Sequence, residues 1–278
     1  MTLEWAEIEA GTTLVAHRTG AVLRRTAPGE LWFGRPMGAS DHGTAESTAH
    51  LLDGAIEAAV RAAGSRETPA MTPARWAWQL IGQWYCAHHS VALLPEAIAQ
   101  YERDGRADLA DFACLKLEEE RGHDELALAD LRELSYDAEG VVAAVQPPPP
   151  VRAAVDHARA TVRCGDAVGF IGYVYALERI VGVFPPEWFA RLAALLPDGR
   201  DGAFGFRAHA LEFDVGHVAE ASRFIATLPA SDRTKIVTTC HKTAAICCEP
   251  FIHPTEAELA GRLAAFQVVS NGAEGAQH

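Results

Sequence analysis

The chain has 278 residues, 49% of them hydrophobic, and its 24 Lys+Arg against 37 Asp+Glu give a formal charge of −13. That acidity argues against a nucleic-acid backbone or an anionic membrane as partner. A chain of this length buries roughly 75% of its unfolded surface, so it needs no staple to fold.

The first residues, MTLEWAEIEAG, carry neither a basic n-region nor an apolar h-region. No run reaches the ~18 apolar residues of a membrane span. Cys86, Cys114, Cys164, Cys240, Cys247 and Cys248 show no CxxC pairing, and most lie in apolar helical context, where free cysteine behaves as a small hydrophobe. The expectation is a cytoplasmic, reduced, soluble protein.

Residues 1–44 hold Gly11, Gly20, Gly29, Gly34, Gly38 and Gly43 with two prolines, and read as an irregular arm on the domain surface. No strand alternation is read there or elsewhere. From Ala45 apolar residues recur at helical spacing up to Gly64. Thr72-Pro73 then opens a long helix to about Tyr101, proline being favoured in a first turn. Its stripe of Trp76, Trp78, Leu80, Ile81, Trp84 and Tyr85 is too apolar for a surface helix, and Pro95 should kink or divide it. After the Asp104-Gly105 turn a helix is predicted over about 107–134. The run Pro147 to Pro150 predicts a stiff, extended connector inside one domain. Helices follow over about 151–163, 166–183, 186–195, 203–227, 231–248 and 255–269, the last opened by a capping box of Thr255 and Glu258. Residues 45–270 thus read as one all-α helical domain, and 271–278 as a flexible tail.

Three places carry chemistry. Glu118-Glu119-Glu120-Arg121-Gly122-His123-Asp124-Glu125 puts Glu120 and His123 three residues apart, neighbours on one helix face. Asp214 and His217 repeat that spacing, with His209 just ahead, and Glu178 stands in the apolar stretch VGFIGYVYALERIVGVF. Carboxylates and imidazoles on three helices are how a helical protein builds a di-metal site. Hard oxygen and imidazole donors without thiolate suit iron or manganese, and so oxygen chemistry. The bland reading is a solvated acidic face and packed core histidines. Against it, Gly122 inside a helix costs on the order of 1 kcal/mol, which suggests a close approach beside His123. Glu178 and Arg179 point about 100° apart, so one of them should reach solvent. A buried, unpaired Glu178 would be costly unless a metal relieved it.

The stretches EEERGHDELALADLREL, GYVYALE and HALEFDVGHVAE resemble the haem-oxygenase-like di-iron oxidases and oxygenases over roughly residues 45–250. That family is a branch of the helical fold shared with haem oxygenase, the TenA thiaminases and the pyrroloquinoline quinone synthase. The resemblance implies a haem-oxygenase-like helical bundle and a non-haem centre of two Fe(II) per chain. It further implies O2 as co-substrate and a small-molecule substrate, with N-oxygenation of an amine the best guess for the reaction. An electron donor and a homodimer are possible partners. The matched ligands are Glu120 (or Glu119), His123, Glu178, Asp214 and His217, with His209 as the sixth; Tyr175, Trp84 and Tyr85 are candidates for the cavity wall. Two departures stand out. Many members place a glutamate seven residues before the first histidine, where this chain has Lys116. His209 lies five residues before Asp214, with Ala210 at the usual place. For His209 to bind, a π-bulge or unwound turn at about 209–216 must absorb the extra residue. The alternatives are a metal-free enzyme like the thiaminases or the quinone-cofactor oxidase, and a non-catalytic helical binding protein.

Overall fold

In this computed structural model the described residues are 4–25, 43–64, 69–164, 166–181, 186–194, 203–208 and 214–268. They begin with a correction. The described first part of the arm is not irregular: β1 (Trp5–Glu9), β2 (Thr12–His17) and β3 (Gly20–Arg25) form an antiparallel meander in the order β1-β2-β3. In β1, Ala6 and Ile8 face inward while Glu7 and Glu9 face out, the alternation of a half-buried strand. In β2, Thr13, Leu14, Val15 and Ala16 are all buried, so a strand covered on both faces shows no alternation at all.

The helices follow in chain order. Helix α1 (Ala45–Ala63) is capped by Thr44, and α2 (Pro73–Arg103) by Thr72 with proline in its first turn. Pro95 does not divide α2, which runs unbroken through it. The helix expected over 107–134 is two: α3 (Ala107–Glu120) and α4 (His123–Glu133), separated by Arg121 and Gly122. A short α5 (Ala138–Ala144), not anticipated from the sequence, precedes α6 (Pro149–Arg163). The proline run is therefore extended only at its start; Pro149 and Pro150 sit in the first turn of α6, where a missing N–H costs nothing. A 3-10 turn (Ala167–Gly169) leads into α7 (Phe170–Val181). Then come α8 (Pro186–Ala193), α9 (Phe204–Ala208), α10 (Asp214–Thr227), α11 (Ala230–Cys247) and α12 (Glu256–Leu263). The expected Thr255–Glu258 capping box opens α12. No helix among the described residues is long and apolar enough to cross a membrane.

Two apolar cores organise these elements. One joins the sheet, α1, α3, α6, α7, α10 and α11 with the second half of α2; the other joins the first half of α2 with α4, α5, α8, α9 and α12. Helix α2 threads both. The close helix pairing of α7 with α11 depends on Gly172, because a Cβ there would collide with the Ile236 carbonyl. The break between α3 and α4 falls where the two cores meet.

A buried carboxylate and imidazole cluster at the core junction

Gly122 makes the break. Its φ of 89° lies in the left-handed region and no atom lies within 4 Å of where a Cβ would stand. The expected close approach at this glycine is thus replaced by a conformational need. Glu120 ends α3 and His123 starts α4, so they do not share a helix face. The turn nevertheless brings them together: His123 Nδ1 lies 2.8 Å from Glu120 Oε2, with His123 buried.

Helix α7 supplies Glu178, whose side chain is 9% exposed, while Arg179 reaches outward and clasps Asp53 of α1 at 2.8 and 3.0 Å. The expected split of this pair, one inward and one outward, holds. Neither carboxylate oxygen of Glu178 has a hydrogen-bond donor. Lys116 Nζ stands 3.5 Å from Glu178 Oε1, an ionic contact rather than a hydrogen bond. Burial pushes the Glu178 carboxyl up to about 7, against the pull of Lys116 and with the added repulsion of Glu120 and Glu119.

Lys116 is what sequence reasoning missed; it registered only as a departure from a pattern. It is 2% exposed and donates to Glu119 Oε2 at 2.7 Å. Burial opposes its charge, yet Glu178 and Glu119 overcome that and hold the ammonium above its usual range. From α10, His217 Nε2 comes within 3.9 Å of the same Glu119 oxygen. Pairwise contacts thus link Glu119, Glu120, His123, Glu178 and His217 through Lys116 across four helices, where the sequence suggested three. Asp214 is the first residue of α10, but its side chain, His209 and most of the expected bulge lie outside the described residues.

The candidate wall residues fare differently. The Tyr175 hydroxyl donates to Asp53 at 2.9 Å and so belongs to the α1–α7 contact. Trp84 stacks on His88 at 4.8 Å, and His88 Nδ1 pairs with Asp124 at 2.9 Å. Tyr85 meets His89 edge-on at 4.3 Å. Within electrostatic reach of Glu120 lies Cys86, whose thiol burial pushes up while contacts with Tyr173 and Ser90 pull it down.

Iron fits these residues in donor type, since they offer hard carboxylates and imidazoles. A buried carboxylate such as Glu178, which accepts no hydrogen bond and has the Lys116 ammonium at 3.5 Å, is relieved further by a second cation. Fit in charge is narrower. Among the described residues Glu119, Glu120 and Glu178, when ionised, stand near one ammonium, an excess that one divalent ion would balance. Among the described residues no three His, Cys, Asp or Glu side chains stand around one point as a finished metal cage.

No family model matches the chain, and no curated protein matches it in sequence. Its likeness is structural. It superposes on a TenA homolog from Pseudomonas syringae pv. tomato str. DC3000 with a TM-score of 0.53 and 15% identity, over 77% of this chain and 95% of that one. It superposes on a domain of unknown function with a haem-oxygenase-like fold from Shewanella denitrificans OS217 with a TM-score of 0.55 and 18% identity, over 81% of this chain and 93% of that one. The class is therefore the haem-oxygenase-like helical fold, with a three-stranded sheet at its N-terminal side.

Proposed function

We propose that the protein is an enzyme that uses iron and O2 to oxidise a small molecule at this cluster, with N-oxygenation of an amine as the reaction. The observation that carries the reading is Glu178, a buried carboxylate whose oxygens accept no hydrogen bond and whose charge is felt by Lys116, Glu120 and Glu119, the last two in turn approached by His123 and His217. Bound iron would supply Lewis acidity and electrons for O2. The chain's own residues do the rest. The contact of His123 Nδ1 with the Glu120 carboxylate at 2.8 Å fixes the ring's orientation, as a carboxylate does for a ligating histidine. Glu119, Glu120 and His217 keep 16–20% of their side chains exposed, so a small molecule can approach the cluster from solvent. In the haem-oxygenase-like fold the same residues could instead serve a metal-free enzyme, as in TenA-type catalysis; the Lys116 ammonium, which already compensates two carboxylates, favours that second reading.

Anaerobic loading with Fe(II), followed by exposure to O2, separates the two. Retained iron and a transient optical change that fails in His123→Ala and His217→Ala support the oxygenase. Uptake of zinc alone, or of no metal, sinks it and leaves the metal-free enzyme.

A further inference from the structure

Lys116 lies three residues before Glu119 and four before Glu120, so all three rise from one side of α3. Its ammonium touches Glu119 and lies within ionic contact of Glu178 across the gap to α7. It also lies 5.8 Å over the Phe112 ring. Phe112 is itself stacked on Phe224 of α10, with centroids 4.2 Å apart and planes within 6°. This aromatic pair walls in the lysine stem, and the 2% exposure of Lys116 shows that the side chain does not reach solvent. The positive charge is thus built into the cluster. Paired metal ions in proteins sit about 3.5–4 Å apart and share carboxylates. The Lys116 ammonium, 2.7 Å from a Glu119 oxygen and 3.5 Å from a Glu178 oxygen, bridges two carboxylates as a shared cation would.

We propose that Lys116 occupies one cation position of the cluster, so that the chain takes one divalent ion where its carboxylates and imidazoles would otherwise hold two. The proposal rests on the iron-dependent reading for the identity of the ion, not for the role of Lys116. The cluster then carries less positive charge than a dinuclear site would, and the protein supplies the smaller share of it covalently. Chemistry there would draw on one exchangeable ion and one permanent charge, which stays in place whatever the metal's oxidation state.

The test is metal stoichiometry. Metal-free wild type, Lys116→Glu and Lys116→Met are loaded anaerobically with Fe(II), and separately with Co(II), passed through gel filtration and assayed for metal per chain. Circular dichroism checks that each variant keeps its helices. About one ion in the wild type and about two in Lys116→Glu is the expected result, and Lys116→Met, which keeps the apolar stem, should exceed the wild type. If Lys116→Glu does not fold, Lys116→Met decides. Two ions in the wild type, or equal stoichiometry in all three proteins, overturns the proposal. No ion in the wild type with one gained by the variants would leave the role of Lys116 standing and sink the iron-dependent reading instead.

Discussion

Glu125 lies three residues from Gly122 and two from His123, yet its side chain is 65% exposed and leans towards Arg132. It is the natural control for its neighbours. His123→Ala and His217→Ala are expected to abolish O2-dependent turnover with the helical signal retained, and Glu125→Ala to change turnover less than twofold. A Glu125→Ala enzyme as damaged as His123→Ala would show that the cluster is wrongly drawn. Gly122→Ala makes a different demand. No atom obstructs the new methyl, so the cost is the left-handed backbone alone, about 1–2 kcal/mol. That should appear as a lower urea midpoint with an unchanged slope. At this scale the sequence was legible in an instructive way. Spacing identified Glu120 and His123 as partners, but for a helix face that does not exist. Gly122 carried the information, and it marked a turn rather than a contact. The role of Lys116 was illegible, because whether a lysine sits among carboxylates or in water depends on where α7 lies.

Among the elements, α7 is held by the tightest joint. Gly172 lets its backbone meet the Ile236 carbonyl of α11, and a methyl there has nowhere to go. Gly172→Ala should cost about 3 kcal/mol through overpacking. It should also displace Glu178, two turns further along the same helix, so urea unfolding and metal uptake are expected to fall together. The long helices and the α12 cap were readable from period and capping residues. The sheet was not read, although Ala6 and Ile8 alternate with Glu7 and Glu9 and glycines stand at both turns. The cue was five residues long and the next strand cancelled it, being buried on both faces. The split of the 107–134 helix was hidden by periodicity that continues on both sides of the break.

The whole molecule is tied together at its sheet. Glu4 accepts from Ser47 at 2.6 Å, from Thr48 at 3.1 Å and from Arg233 at 2.8 Å, and both members of the ion pair are almost fully buried. Breaking a buried pair strands the other charge, at roughly 3–5 kcal/mol. Arg233→Ala should therefore lower the melting temperature far more than loss of the exposed Arg163–Glu96 pair. Acid should also weaken the fold through His157. Burial, aided by Lys242, holds its imidazole below the ordinary range. In the folded state it resists protonation, while the unfolded chain takes the proton near pH 6.5. Its contribution is full above that pH and is lost progressively as pH falls below it and through the lowered folded-state value. The drop in melting temperature between pH 7 and pH 5 should be smaller in His157→Gln than in the wild type, a difference in which the other titrating groups cancel.

The Glu4–Arg233 joint spans 229 positions of sequence, and this bears on time rather than on energy. A ribosome adds roughly 5–20 residues per second, so the meander waits on the order of ten to fifty seconds for the helix that receives it. A contact so distant along the chain closes a very long loop and forms late. Interactions made after the transition state act on the exit from the native state, not on the approach to it. Glu4→Ala is thus expected to speed unfolding in proportion to its loss of stability while leaving the refolding rate nearly unchanged. The joint between the sheet and α11 works as a latch: it governs how long the finished molecule lasts, not how quickly it is made.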